Sequence, residues 1–189
     1  MIRTSTLVNT YMLVGGIGLA CCFLMHHCGQ GDARYPITLE YSRANPLAFL
    51  FFISAIASTS LLAWLFHRGT AKAESLLIAI VAVSLGVLMA TPPDSVAHFV
   101  ALLTAVLLAA LVPMIFVLQS EISFVGIILY AIPMPLVLVA GIGSFSSQMG
   151  LGIAERLWYG ANYFTYAMIV KMMADDGRLD DVEVDNSSR

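Results

Sequence analysis

Six long apolar segments, separated by short stretches that hold almost all of the charged residues, constrain the fold of this chain more than any other feature. Only 11% of the residues are charged, whereas a soluble domain carries about 25%. A helix of about 20 apolar residues crosses the hydrocarbon core of a bilayer and satisfies its own backbone polar groups there. We therefore predict an all-α integral membrane protein with six transmembrane helices, at residues 7–25, 46–66, 73–90, 96–118, 122–142 and 151–173.

Short connections and the positions of the basic residues predict how these helices are arranged. Residues 91–95 and 119–121 join consecutive spans, and such short connections make neighbouring helices antiparallel, as in an up-and-down bundle. Lys and Arg are more frequent on the side of the two termini than on the opposite side, with Arg3, Arg68, Lys72, Lys171, Arg178 and Arg189 against Arg34, Arg43 and Arg156. This bias predicts cytoplasmic termini. The predicted location is the cell membrane, as a multi-pass protein of a bacterial inner membrane.

The end of the chain differs from the rest in composition. Residues 175–189 are rich in acidic residues and poor in apolar ones, which is typical of a segment that does not fold alone. We predict one membrane domain over residues 1–174, followed by an acidic, flexible cytoplasmic tail over residues 175–189.

The predicted topology brings most of the remaining polar residues to the non-cytoplasmic face. The first loop is the longest, and the fourth and sixth spans begin on the same side. Because a charged side chain near membrane depth needs a partner or a role, we predict a ligand-binding site at this face, made of Glu40, Arg43, Asp94, His98, Glu155, Arg156, Tyr159 and Asn162. The alternative is a set of ion pairs that holds the first loop on the bundle. In that reading Glu155 pairs with Arg34, Arg43 or His98, and Arg156 pairs with Asp32, Glu40 or Asp94.

A metal site is a weaker hypothesis. Cys22 and His26 are four residues apart and share a helix face, and His27 and Cys28 follow them. Structural zinc normally shows four clear ligands, and this spacing does not provide them. We therefore predict no metal and no cofactor. Nucleic acid is an unsuitable partner because no Lys/Arg cluster could neutralise several neighbouring phosphates.

The interiors of the spans carry only mild polarity. Apart from boundary residues, spans one to five contain no Asp, Glu, Lys or Arg, which argues against a proton relay or an ion-coupled carrier. In the sixth span Tyr159, Tyr163 and Tyr166 share one face, and we expect their hydroxyls to bond inside the bundle. Prolines inside spans four and five each remove a backbone hydrogen bond, and these are Pro113, Pro133 and Pro135.

Small residues recur along the first span at Gly15, Gly16 and Gly18, and along the second around Ser54 and Ser58. Such surfaces let membrane helices approach closely. We interpret them as packing surfaces within the chain.

Two short segments resemble a known family. Residues 35–41 (YPITLEY), followed by Asn45-Pro46 and a Phe-rich helix, look like the six-helix DRAM/Sfk membrane protein family. Residues 150–158 resemble a Gly-x-x-Glu-Arg pattern, here Gly152, Glu155 and Arg156, in the last helix of related bacterial membrane proteins. The resemblance implies six helices, cytoplasmic termini and an external first loop. Family members are linked to membrane-lipid organisation, lipid-anchor handling and autophagy, with no agreed catalytic residues, and Thr38 replaces their usual Ser.

Three functions are compatible with these patterns. The leading hypothesis is a noncatalytic membrane module that engages membrane lipids, a membrane-protein partner or a second copy of itself. The alternative is a transporter of lipids or small molecules, suggested by the interior prolines and the tyrosine face. The second alternative is a membrane-embedded, lipid-modifying enzyme that uses His98 and Glu155.

Overall fold

The computed structural model describes residues 4–27, 37, 41, 45–69, 71–119 and 151–179. Over these ranges the chain is helical and contains no strand. The helices are α1 (Thr4–His27), α2 (Pro46–Arg68), α3 (Lys72–Ala90), α4 (Val96–Gln119) and α5 (Leu151–Asp175).

Four helices, α1 to α4, are long and apolar enough to cross a membrane. These findings confirm the all-helical prediction and four of the predicted apolar helices. The helix at the predicted sixth span, α5, is also long, but it carries Glu155, Arg156 and Lys171. The predicted fifth span, residues 122–142, lies outside the described residues.

Local sequence explains where α2 begins and ends. Pro46 occupies the first turn of α2, where its missing N–H costs nothing. The side chain of Asn45 accepts a hydrogen bond of 3.0 Å from the Leu47 amide and so caps the helix. At the other end the Gly69 amide donates to the Leu65 carbonyl over 3.1 Å, and only residues 69–71 separate α2 from α3. This short connection forces the two helices to be antiparallel.

The described helices form a ring. Consecutive helices from α1 to α4 pack against one another, and α5 contacts both α1 and α4. At one end, which we call the loop end, the end of α1 meets the start of α2, the end of α3 and the start of α4, through Cys22, Met25, Phe52, Leu88 and Ala101. At the opposite end, which we call the termini end, the start of α1 meets the end of α5, through Leu7, Tyr11, Phe66, Phe116 and Met173.

Many large apolar side chains of the described helices point outward, although others, such as Phe66 and Met25, are buried in the core. Leu13, Val83 and Phe164 expose 66%, 67% and 59% of their side chains, whereas Ala55 and Ala105 are buried. A soluble protein rarely exposes so many large apolar side chains, because extensive apolar surface is unfavourable in water. The outer surface of these helices therefore suits an apolar surrounding.

Glycines on α1 allow α5 to approach closely. A methyl group on Gly15 would overlap the ring of Tyr163, and one on Gly18 would lie 2.6 Å from the Tyr159 hydroxyl. The Tyr163 ring has little freedom to move aside, because its hydroxyl donates to the Met12 carbonyl over 2.7 Å. The prediction that the small residues of the first span serve packing within the chain agrees with this contact.

A hydrogen bond from α5 satisfies a carbonyl that Pro113 leaves without its usual donor. Pro113 lies inside α4 and has no N–H to give to the Ala109 carbonyl, four residues earlier. The Tyr166 hydroxyl donates to that carbonyl over 2.9 Å, and both residues are buried. This bond also links α4 to α5, and so it helps to close the ring.

The packed part of the chain extends past the predicted domain boundary at residue 174. The Arg178 amide donates to Met173 and the Gly177 amide to Ala174, and Gly177 has a φ of 67°. These bonds form a Schellman motif, which turns the chain back over the end of α5. Leu179 is buried in the core of the termini end. The acidic residues 180–189 lie outside the described residues.

We expect the Tyr166→Phe substitution to lower the free energy of unfolding by about 1–3 kcal/mol, because the buried Ala109 carbonyl loses its donor. Pro113→Ala restores an amide N–H at that position. In the Pro113→Ala background, Tyr166→Phe should therefore lower the free energy of unfolding by clearly less. Unfolding of the four proteins of this double-mutant cycle in detergent measures the difference, and equal costs in the two backgrounds would contradict the explanation.

Candidate functional site

Glu155, near the start of α5, binds the segment between α1 and α2. Its carboxylate oxygen Oε2 accepts a hydrogen bond of 2.6 Å from the Ile37 amide. The Ile37 side chain is buried in the core of the loop end. A buried amide without a partner is costly, so the carboxylate stabilises this segment against the bundle.

Arg156, the next residue, binds a different element. Its side chain is 4% exposed, and Nε donates to the Cys22 carbonyl near the end of α1 over 3.1 Å. A helical carbonyl has a second lone pair that can accept such a bond. Because adjacent residues point to different sides of a helix, Glu155 and Arg156 attach α5 to two separate parts of the chain.

His98 belongs to the connection between α3 and α4. It is 5% exposed, and its ring atom Nδ1 lies 3.3 Å from the Thr91 carbonyl oxygen and 3.4 Å from the Thr91 hydroxyl. Its backbone amide donates to the Ser95 hydroxyl over 3.1 Å, which caps the start of α4. Asp94, in the same connection, is exposed.

No hydrogen bond within the described part of the chain joins His98 to α5. Within the described part of the chain, the hydrogen bonds of His98 stay in its own connection, and those of Glu155 and Arg156 go to backbone atoms of other segments. Among the described residues Glu155 is bonded to the Ile37 amide and not to His98, one of its three suggested partners, while Arg34 and Arg43 lie outside the described residues. His98 bonds to Thr91 and Ser95, which are close to it in sequence and belong to the same connection between α3 and α4.

Tyr159 and Asn162 lie within the bundle. The Tyr159 ring packs edge-on against Phe51 at 4.7 Å between centroids, and its hydroxyl bonds to the Ser58 side chain. The amide group of Asn162 donates to the Trp158 carbonyl, one turn earlier in α5, over 2.8 Å. Tyr159 therefore bonds inside the bundle, as Tyr163 and Tyr166 do. The spacing of the three tyrosines predicts this shared face.

Other predicted site residues fall partly or wholly outside the described residues. Glu40, Arg43 and Cys28 lie outside them, as do Arg34 and the side chains of His26 and His27. Cys22 is completely buried. Among the described residues, no group of three His, Cys, Asp or Glu side chains is arranged to hold a metal ion.

Three polar groups near the start of α5 could not be predicted from the sequence to have a structural role. The Ile37 amide and the Cys22 carbonyl are backbone atoms, which every residue has, so no pattern marks them in advance. The third is the indole Nε1 of Trp158, which is buried and has no hydrogen-bond partner among the described residues. Its burial follows from contacts with α3 and α4, which are distant in sequence.

Comparison of this chain with protein-family models, with curated protein sequences and with solved structures finds no match.

We expect Glu155→Ala to lower the free energy of unfolding by about 1–3 kcal/mol, because the buried Ile37 amide loses its acceptor. Glu155→Gln keeps an acceptor oxygen and should cost less. Limited proteolysis should then cut between α1 and α2 faster in Glu155→Ala than in Glu155→Gln. Asp94→Asn, an exposed change at the same end, is the control and should shift stability by no more than about 0.5 kcal/mol. Equal effects of the three substitutions would contradict the assigned contact.

Proposed function

We propose that this chain is a six-helix membrane protein of the cell membrane, with both termini in the cytoplasm, and that it acts as a noncatalytic module that engages membrane lipids or partner proteins. The observation that carries this proposal is the outward distribution of large apolar side chains on the described helices. Such a surface is suited to acyl chains or to the apolar surface of another membrane protein.

The positions of the helix ends support one further span between α4 and α5, which would bring the count to six. Phe116, near the end of α4, packs in the termini end, whereas Glu155, near the start of α5, binds Ile37 at the loop end. In this proposal, residues 120–150 return from one end of the ring to the other. Residues 122–142 have the length and apolar character for one crossing. An even number of crossings places both termini on one side, as the resemblance to the DRAM/Sfk family implies.

The bonds at the loop end support a noncatalytic role. A nucleophile or general base has to reach a substrate atom within hydrogen-bonding distance. Glu155 and Arg156 are instead bonded to backbone atoms of the first loop and of α1, and His98 is bonded within its corner. In this proposal these polar groups fix the fold, and the apolar outer surface makes the functional contacts.

Native mass spectrometry of the protein, released from its own membrane in mild detergent, tests the engagement of lipids or partners. We expect bound phospholipid or a second polypeptide to remain on the protein. Crosslinking in intact membranes checks that a retained polypeptide is a neighbour before extraction. A lipid-free monomer with no crosslinked neighbour would overturn the proposal.

Fusions of alkaline phosphatase, which is active only outside the cytoplasm, test the proposed topology. A fusion after Asp94 should be active, and fusions after Gly69 and after Arg189 should be inactive. Matched fusions to green fluorescent protein should give the inverse pattern. Activity after Arg189 together with inactivity after Gly69 would mean an odd number of crossings between these points and would contradict the six-helix count. Complete reversal would contradict the orientation alone.

A further inference from the structure

After α5 the chain turns back across the termini end of the ring in a short segment, residues 177–179, which we call the strap. Gly177, with a φ of 67°, makes the turn. Leu179 is 1% exposed and lies in the buried cluster of the termini end, to which all five described helices contribute side chains. The strap therefore covers the core where these helices meet.

The strap contacts three other elements at this end. The Leu179 carbonyl accepts a hydrogen bond of 3.5 Å from the Thr4 hydroxyl at the start of α1. The Arg178 guanidinium carbon lies 5.9 Å from the centre of the Phe116 ring near the end of α4. Between α2 and α3, a methyl group on Gly69 would lie 2.6 Å from the Arg178 carbonyl oxygen and 3.2 Å from the Leu179 side chain. The closed strap thus requires glycine at position 69.

Several features of the strap favour local opening. The hydrogen bond from Thr4 is long for a hydroxyl donor, and the cation lies near the limit of about 6 Å at which it attracts a ring. Exposed acidic residues precede the strap, and further acidic residues follow it in the sequence; these are Asp175, Asp176, Asp180 and Asp181. A chain end with one buried apolar side chain and such flanks opens more easily than the helices that it covers.

We propose that the strap is a releasable closure of the termini end. It leaves the core as a unit while the five helices stay packed, and its release exposes Leu179 and opens the core to solvent. Residues 177–189 then control access to the interior of the ring from this side. This inference adds a conformational device to the proposed membrane module, and it holds for either orientation in the membrane.

Trypsin measures the release, because it cleaves after Arg178 and needs an accessible chain on both sides of the bond. In the closed strap the Arg178 carbonyl packs on Gly69 and Leu179 is buried. Loss of residues 179–189 from the full chain in detergent, followed by mass spectrometry, therefore tracks the released population. We expect Gly69→Ala to accelerate this cleavage at least about fivefold, because overpacking displaces the strap. Gly177→Ala should also accelerate it, because alanine is strained at a positive φ.

Two further variants separate release of the strap from unfolding of the bundle. Gly86→Ala is the matched control, because a methyl group there meets no atom within 4 Å, and it should leave the rate unchanged. Glu155→Ala weakens the loop end and should leave the rate unchanged as well. If Glu155→Ala accelerated cleavage as much as Gly69→Ala does, cleavage would follow general unfolding and the proposal would be overturned. No acceleration in either Gly69→Ala or Gly177→Ala would also overturn it.

A second measurement reads access to the core itself. Leu7 is buried in the same cluster, whereas Ser5 is exposed two residues earlier. A charged maleimide should modify the thiol of Leu7→Cys faster when Gly69→Ala is also present, by the same factor as trypsin cleavage. The thiol of Ser5→Cys should react equally in both backgrounds. Mass spectrometry locates the label and so separates it from the native cysteines. An unchanged rate at position 7 would mean that the strap does not control access to the core.

Discussion

The closure of the ring of described helices depends on how α5 is attached to the others. In apolar surroundings an unsatisfied backbone polar group is costly, and tyrosine hydroxyls of α5 bond to carbonyls of two other helices. Tyr163 bonds to α1 at Met12, and Tyr166 bonds to α4 at Ala109. The ring therefore closes through polar bonds between helices. These bonds need the close approach of α5 to α1 that Gly15 permits.

The attachment of α5 is accompanied by contacts at both ends of the bundle. Once α5 lies against α1, Glu155 reaches the Ile37 amide at the loop end, and Leu179 reaches the core of the termini end. Most other hydroxyls bond within their own helix, as Thr59 does to the Ala55 carbonyl. An exception is Ser75, which bonds from α3 to the Ala63 carbonyl of α2 over 2.7 Å. Between helices the described polar contacts are thus few and specific, while small residues provide the close packing.

Helix positions could be predicted from the sequence because length, hydropathy and the exclusion of charge are local properties. The second span, predicted at residues 46–66, is the helix Pro46–Arg68, and its start is marked by Asn45 and Pro46. The partners of Glu155 and Arg156 could not be predicted, because they are backbone atoms without a sequence signal. The burial of Leu179 was not predicted, because acidic residues surround it in the sequence. Gly177, however, is a recognisable sign of a helix end at which the chain turns back.

The inward bonds of Glu155 and Arg156 change how the loop end is interpreted. The sequence favours recognition at the predicted non-cytoplasmic face, where the predicted topology puts the long first loop and the Glu155-Arg156 pair. In the described structure these two side chains are bonded inward, where they stabilise the junction of α5 with α1 and the first loop. Because a charged group bonded in a buried junction cannot exchange partners without breaking that junction, we expect Glu155 and Arg156 to stabilise the fold rather than to bind a ligand.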